Sequence, residues 1–313
     1  MGVKGLYTYL KHYRNDIDPR DSNERFRIGV DAMSLLYRYK GNTQGILDLL
    51  NGLRKVGHVL FFVFDGKPPV EKEREVQARK DAKVEAGAKA TSIEFFLQSD
   101  AAKEMEEPAR QLLEVSLQRC QNQSWHMTRE LRHTFQQELW NLEIPYVKSI
   151  SEADDVLVDL YAAGKLDVIL SSDMDYLLSG IGRLWIPTHK GIFHFEEIIL
   201  DEVLAGEGMS LGGFMDAGLL CGTEEREGSQ GVPCLTAFTW MRHYGSLEAL
   251  LQSTVADRPM RSMFPNMAAV QEERARVAPK DAYSRIRPDH LERVMPFLEA
   301  LSVCKIEPDA ALP

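Results

Sequence analysis

Cysteine is scarce and scattered. The chain holds four, Cys120, Cys221, Cys234 and Cys304, in 313 residues, and no two form a C-x-x-C pair. That spacing argues against a zinc knuckle or a disulfide framework and fits a reducing, intracellular compartment. No apolar run approaches the ~20 residues of a membrane-crossing helix, so no membrane is expected as a partner. The opening MGVKGLYTYLKHYRND lacks the basic, long-apolar, small-residue order of a signal peptide. Gly2 follows Met1, but Tyr7 and Thr8 do not make a good myristoylation site. No repeat or low-complexity segment occurs. Positive charge is in deficit, 37 basic residues against 47 acidic ones for a net charge of −10. That argues against a general polyanion binder, yet leaves room for acids concentrated in a metal site.

What is present describes a globular chain. Hydrophobic residues make up 44%, and the length suits one large α/β domain or two small ones. FRIGVD (26–31), HVLFFVFD (58–65) and DVILSSD (167–173) read as short buried strands. TQGILDLLNGLRKVG and SEADDVLVDLYAAGK read as helices between them, and strand alternating with helix implies a parallel, doubly wound sheet. Residues 71–140 are charged and helix-forming, and read as a helical insertion over the sheet's edge. EGSQGVP (227–233) reads as a turn between helices. After about 255 the chain is less patterned, with Pro259, Pro265, Pro279 and Pro288 along it.

Each of the three strands ends in aspartate: Asp31, Asp65, and Asp173 with Asp175. In an open α/β sheet ligands bind beyond the carboxyl ends of the strands, so these acids should meet at one edge. Asp173 and Asp175, two apart, face one side if the strand persists that far. The helix start SEADD adds Glu152 and Asp154. Six carboxylates ionise together only if cations sit among them. Oxygen donors with no His or Cys nearby favour Mg²⁺ or Mn²⁺, and two such ions serve in-line displacement at a phosphodiester. Plainer readings stand beside this one. A strand-ending Asp is a common turn former, and Ser151 with Asp154 fits a capping box.

MGVKGL, VDAMSLLY, VFDGKPP, SEADD, SSDMDYL and FMDAGLLCGTEE, in this order and spacing, resemble the flap endonuclease and XPG-type 5′ nuclease superfamily. The resemblance runs from residue 1 to about 250. It implies a PIN-like, twisted, mainly parallel α/β sheet flanked by helices, two Mg²⁺ (or Mn²⁺) and hydrolysis of structured DNA. It places metal ligands at Asp31, Asp65, Glu152, Asp154, Asp173, Asp175 and Glu224. Glu224 stands where the family has aspartate, which would shift or loosen one metal; Glu225 or Asp216 is the fallback. Lys72 and Arg79 match residues that contact the scissile phosphate; by themselves, among Glu71, Glu73 and Glu75, they read as a solvated face. Tyr37 matches a base-stacking tyrosine, with a core aromatic as the other reading. Gly2 matches a position where a larger residue would crowd the DNA junction. The segment 231–251 resembles a helix–two-turn–helix that grips duplex backbone beside a monovalent ion, here K⁺, with Gly231 at its turn. Pro233 has no N–H to give a phosphate there, and an ordinary helical hairpin is the alternative.

The expected organisation is one nuclease domain over 1–255 and a C-terminal extension over 256–313. The domain comprises an N-terminal part (1–70), a helical arch insertion (71–140), an internal part (141–210) and the helix–two-turn–helix (211–255). The leading reading is a structure-specific 5′ nuclease, endo- or exonucleolytic, acting at flaps, junctions or ends of DNA in replication, repair or recombination. A monomer is expected, in the nucleus or another site of DNA replication. No sliding-clamp peptide or lysine-rich tail is evident, so clamp binding is not expected. The alternative is a non-catalytic scaffold or DNA-binding protein of the same fold, supported by Glu224, Pro233 and the acidic surface. Against it, all seven ligand positions keep an acid.

Overall fold

The computed structural model describes residues 3, 5–69, 72–222, 232–255, 261, 264–281 and 283–303. Its centre is a seven-stranded sheet. The strands are β1 (Asn15–Ile17), β2 (Arg27–Asp31), β3 (Val59–Phe64), β4 (Tyr146–Lys148), β5 (Val168–Leu170), β6 (Arg183–Pro187) and β7 (Phe195–Ile199). Their order is β1-β7-β6-β5-β2-β3-β4. The run from β6 to β4 is parallel, and β7 is antiparallel to both β6 and β1. Helices cover the sheet, so β3 and β5 are apolar along their whole length, as strands buried on both faces must be.

Side-chain size sets how the helices dock. Helix Thr43–Lys55 buries Ile46, Leu49, Leu50 and Leu53, one stripe at helical spacing, and Asn42 caps its Gly45 N–H at 3.1 Å. Helix Ala153–Ala162 lays Val156, Leu157 and Leu160 on the sheet. A Cβ at Gly29 would lie 2.7 Å from Leu157 and 2.6 Å from Leu166, so β2 needs glycine there to admit that layer.

The tail has more structure than its sequence pattern announces. Helices Met267–Val277 and Pro288–Val303 form there. The second buries Val294 and Leu298, and Phe297 stacks on Phe61 of β3 at 5.9 Å. Pro288 occupies the first helical position, where its missing N–H costs nothing. Pro296 lies inside the helix.

The chain divides into two compact units, Met1–Pro68 with Thr134–Pro313, and Pro69–His133. The second is helical, built on Glu73–Leu97, Asp100–Lys103 and Glu107–Ser124. Among the described residues, small ones, Ala86 and Ala90, are the buried positions of its longest helix. No described helix is long and apolar enough to cross a membrane.

Candidate active site

β5, β2 and β3 are neighbours and run in the same direction, so their carboxyl ends share one edge. Asp31 ends β2 and begins helix Ala32–Arg38. Its Oδ1 accepts the Ser34 N–H at 2.9 Å, and its Oδ2 accepts the Ser171 hydroxyl at 3.0 Å. Asp65 follows β3 and accepts the Ala153 N–H at 2.8 Å, which ties that strand to the start of helix Ala153–Ala162. Gly66 makes this turn possible: its N–H donates to Ser151 O at 2.6 Å, and a Cβ there would lie 2.2 Å from Ser149 O. The glycine of VFDGKPP thus lets two backbones meet beside the site.

Asp154 lies in the first turn of that helix and accepts the Asp155 N–H at 2.8 Å. Glu152 is the N-cap residue, and its side chain makes no capping hydrogen bond. Ser151 therefore does not form the expected capping box; the first N–H of the helix goes to Asp65 instead. Beyond β5, the Ser171 hydroxyl accepts the Asp173 N–H at 3.1 Å, and Asp173 Oδ1 accepts the Asp175 N–H at 3.0 Å. Ser172 and Ser34 join hydroxyls at 2.7 Å across the same edge.

Electrostatics report how close the acids are. Burial, then the charges of Asp65 and Asp173, push the Asp31 carboxyl up to about 7, against the lowering effect of the Ser34 and Ser171 hydrogen bonds. Beneath them lies Tyr176, 2% exposed, whose hydroxyl has no hydrogen-bond partner. Burial first, then Asp31, Asp154, Asp173 and Asp65, hold that phenol well above its ordinary pKa. The charges of all four acids reach one buried, protonated hydroxyl. Each is tied to nearby N–H or hydroxyl groups. Among the described residues no three Asp, Glu, His or Cys side chains close into a ready-made cage for one ion.

The donor set still suits divalent cations. It is all oxygen and its charges repel, a repulsion that a hard cation would relieve.

The other sequence-expected residues fall as follows. The strand does not persist to Asp175. It ends at Leu170, and Asp175 opens the short helix Asp175–Leu178. The reason is local: Ser171 and Asp173 take the next N–H groups with their side chains and turn the backbone. Asp175 accepts the Val3 N–H at 2.6 Å. Tyr37 is 36% exposed between Asp31 and the helix end, which removes the core-aromatic reading. Lys72 precedes helix Glu73–Leu97, and Arg79 is exposed on it; both belong to the unit Pro69–His133. Gly2, Glu224 and Gly231 lie outside the described residues, as does Glu225. Asp216, the other fallback, is fully buried; it accepts Arg274 at 2.8 and 2.6 Å and the Leu247 N–H at 2.8 Å. It holds helices together and is not free to ligate a metal. The 231–251 segment resolves from Val232 onward into helices Cys234–Tyr244 and Leu247–Gln252, with Gly245 left-handed (φ 77°) between them. The sequence reading missed Ser34, Ser171 and Tyr176, although SSDMDYL carried the signal: two hydroxyls ahead of an acid at a strand end, and a tyrosine behind it.

A mainly parallel sheet with acids at the ends of three adjacent strands is the PIN-like nuclease fold. Solved structures share it. The catalytic core of Rad2 in complex with DNA substrate matches with a TM-score of 0.58 at 17% identity, over 98% of this chain and 88% of that one. Flap endonuclease-1 from Methanococcus jannaschii matches with a TM-score of 0.58 at 18% identity, over 96% of each. Residues 143–224 match the XPG I-region family model, a span that contains Glu152, Asp154, Asp173, Asp175 and Glu224. Flap endonuclease 1 of Eremothecium gossypii is 28% identical over 281 residues, covering 80% of this chain and 68% of that protein. Flap endonuclease 1 of Leishmania braziliensis is 28% identical over 292 residues, covering 83% and 69%. Residues 143–224 thus carry the XPG I-region, and over four-fifths of its length the chain is similar to flap endonucleases.

Proposed function

We propose that this protein is a divalent-metal-dependent, structure-specific 5′ nuclease that hydrolyses DNA phosphodiesters at flaps, junctions or ends. The observation that carries the reading is that Asp31, Asp65, Asp154 and Asp173 gather at one sheet edge and all act on the buried, partnerless Tyr176 hydroxyl. These four acids would hold two Mg²⁺ or Mn²⁺, with Glu152, Asp175 and Glu224 completing the set. Once bound, the ions supply Lewis-acid stabilisation for in-line displacement at phosphorus. The chain's own groups do the rest. Ser34, Ser171 and the Ala153 N–H orient the carboxylates. Tyr176 keeps its proton beside the cluster. Lys72 and Arg79 offset phosphate charge in the transition state, and Tyr37 offers an exposed ring on which a base stacks. The helix–two-turn–helix would hold duplex DNA with K⁺ at its turn. The helices of Pro69–His133 would pass the single strand. Such an enzyme works as a monomer in the nucleus or another site of DNA replication.

The test is a Mg²⁺ titration of flap cleavage with wild type, Asp173→Asn and Asp65→Ala. Wild-type cleavage should need Mg²⁺ or Mn²⁺ and vanish with chelator. Both variants should be inactive yet folded; Asp173→Asn relieves carboxylate crowding, and Asp65→Ala does so while giving up the Ala153 N–H contact. Undiminished cutting in excess chelator, or by either variant, would overturn the reading.

A further inference from the structure

Beside the acids, within the same unit, lies a cavity of about 650 Å³ lined in part by Val3, Tyr7, Arg38, Ser172, Met174 and His189. Ser172 and Met174 alternate along the chain with Asp173 and Asp175, and Val3 donates its N–H to Asp175. The cavity therefore opens against the carboxylate edge. Its charged lining is basic. Arg38 closes the helix that Asp31 begins. It is half-buried, and among the described residues it makes no hydrogen bond or ion pair. Burial, then the charges of Arg38 and Lys40, holds His189 below the usual imidazole range, so three basic groups share this neighbourhood. The remaining lysine of the lining, Lys190, is matched by Asp16 at 2.8 Å. The acid whose field reaches Arg38, Glu196, is already held by Arg14 at 2.8 Å and the Tyr7 hydroxyl at 2.7 Å.

A half-buried guanidinium without a hydrogen bond is incomplete until an anion arrives. The acids next door are incomplete until cations arrive. One ligand satisfies both at once: a phosphodiester strand whose successive phosphates reach the two clusters. The volume is that of a small-molecule pocket and admits a nucleotide. Guanidinium suits the purpose because its fork binds two phosphate oxygens together.

We infer that this cavity is a phosphate subsite, in which Arg38, assisted by His189 and Lys40, binds the phosphate of a nucleotide flanking the scissile bond. This rests on the nuclease reading and adds to it a site on the strand being cut. Arg38 is a positioning residue here, since it touches a phosphate other than the one attacked.

The experiment uses flap DNA with an uncharged methylphosphonate at each phosphate flanking the cut, one at a time. Equilibrium binding is read in Ca²⁺ for wild type, Arg38→Ala, Arg38→Lys and His189→Ala, with melting temperatures as the folding control. One methylphosphonate position should weaken wild-type binding about tenfold, the worth of one charge-assisted contact. Arg38→Ala should show a similar loss on unmodified DNA and no further loss at that position. Its salt dependence should fall by about one unit of slope. Arg38→Lys should restore part of the affinity, and His189→Ala should lose less than Arg38→Ala. In Mg²⁺ the loss should fall on KM more than on kcat. Equal sensitivity of wild type and Arg38→Ala at every position, or no DNA binding by wild type, overturns the subsite. Binding without cleavage by wild type overturns the nuclease reading alone, and the phosphonate series still decides the subsite.

Discussion

Asp31 and Lys72 illustrate how one residue's meaning depends on its partners. Alone, Asp31 is a helix N-cap that accepts the Ser34 N–H, as many strand-ending aspartates do. With Asp65 and Asp173 beside it, its carboxyl titrates near neutrality, which a simple cap has no reason to do. Lys72 and Arg79 carry the opposite charge and stand in the helical unit. If they neutralise phosphate in the transition state, Lys72→Ala and Arg79→Ala should each lower kcat about 100-fold with a smaller change in KM. Single-turnover cleavage of a flap substrate reads this directly. A solvated charged face predicts wild-type rates for both.

Elements position these residues, and the connections matter as much as the strands. Gly66 lets the turn after β3 press against the backbone of Ser149 and Ile150. Gly66→Ala would drive its methyl into carbonyl oxygens that cannot step aside. It should cost roughly 1–3 kcal/mol of stability and, by moving Asp65, most of the cleavage rate. Chemical denaturation and a rate assay on the same preparation separate the two effects. The three strands were legible in the sequence because a strand buried on both faces is a plain apolar run. Their terminal acids were legible for the same reason, as abrupt charge after such a run. The path of 171–175 was not, because side-chain hydrogen bonds from Ser171 and Asp173 outcompete strand geometry and leave no hydropathy signal. Nor was helix Pro288–Val303, whose prolines read as breaks although one occupies the tolerant first turn. The antiparallel edge of β7 and β1 has short, mixed-polarity strands that no alternation marks.

The molecule as a whole inherits a pH dependence from a residue at the opposite end of the strand that Asp65 follows. His58 is 3% exposed against Phe26 and Trp185. Its Nδ1 accepts the Phe26 N–H at 3.1 Å, and its Nε2 lies 3.0 Å from Pro19 O. Burial lowers its pKa, more than the Pro19 carbonyl raises it, so the folded state keeps the ring neutral. The unfolded chain binds a proton below the ordinary imidazole pKa of about 6.5 that the native state refuses. The contribution of His58 to stability should therefore be level above that pH and decline as pH falls below it. His58→Asn should be less stable throughout but flatter in this window; melting curves at a series of pH values compare the slopes. The first and last described stretches meet the sheet at different ends of its strands. Val3 is joined to Asp175 at the acidic edge, whereas Leu301 O receives Arg27 from the start of β2, the far end of the strand that Asp31 closes. For anyone producing the protein, this decides where a purification handle goes. Sequence fused ahead of Val3 leads into a backbone hydrogen bond with Asp175, so a handle there should lower cleavage more than one at the other terminus, which paired rate assays compare.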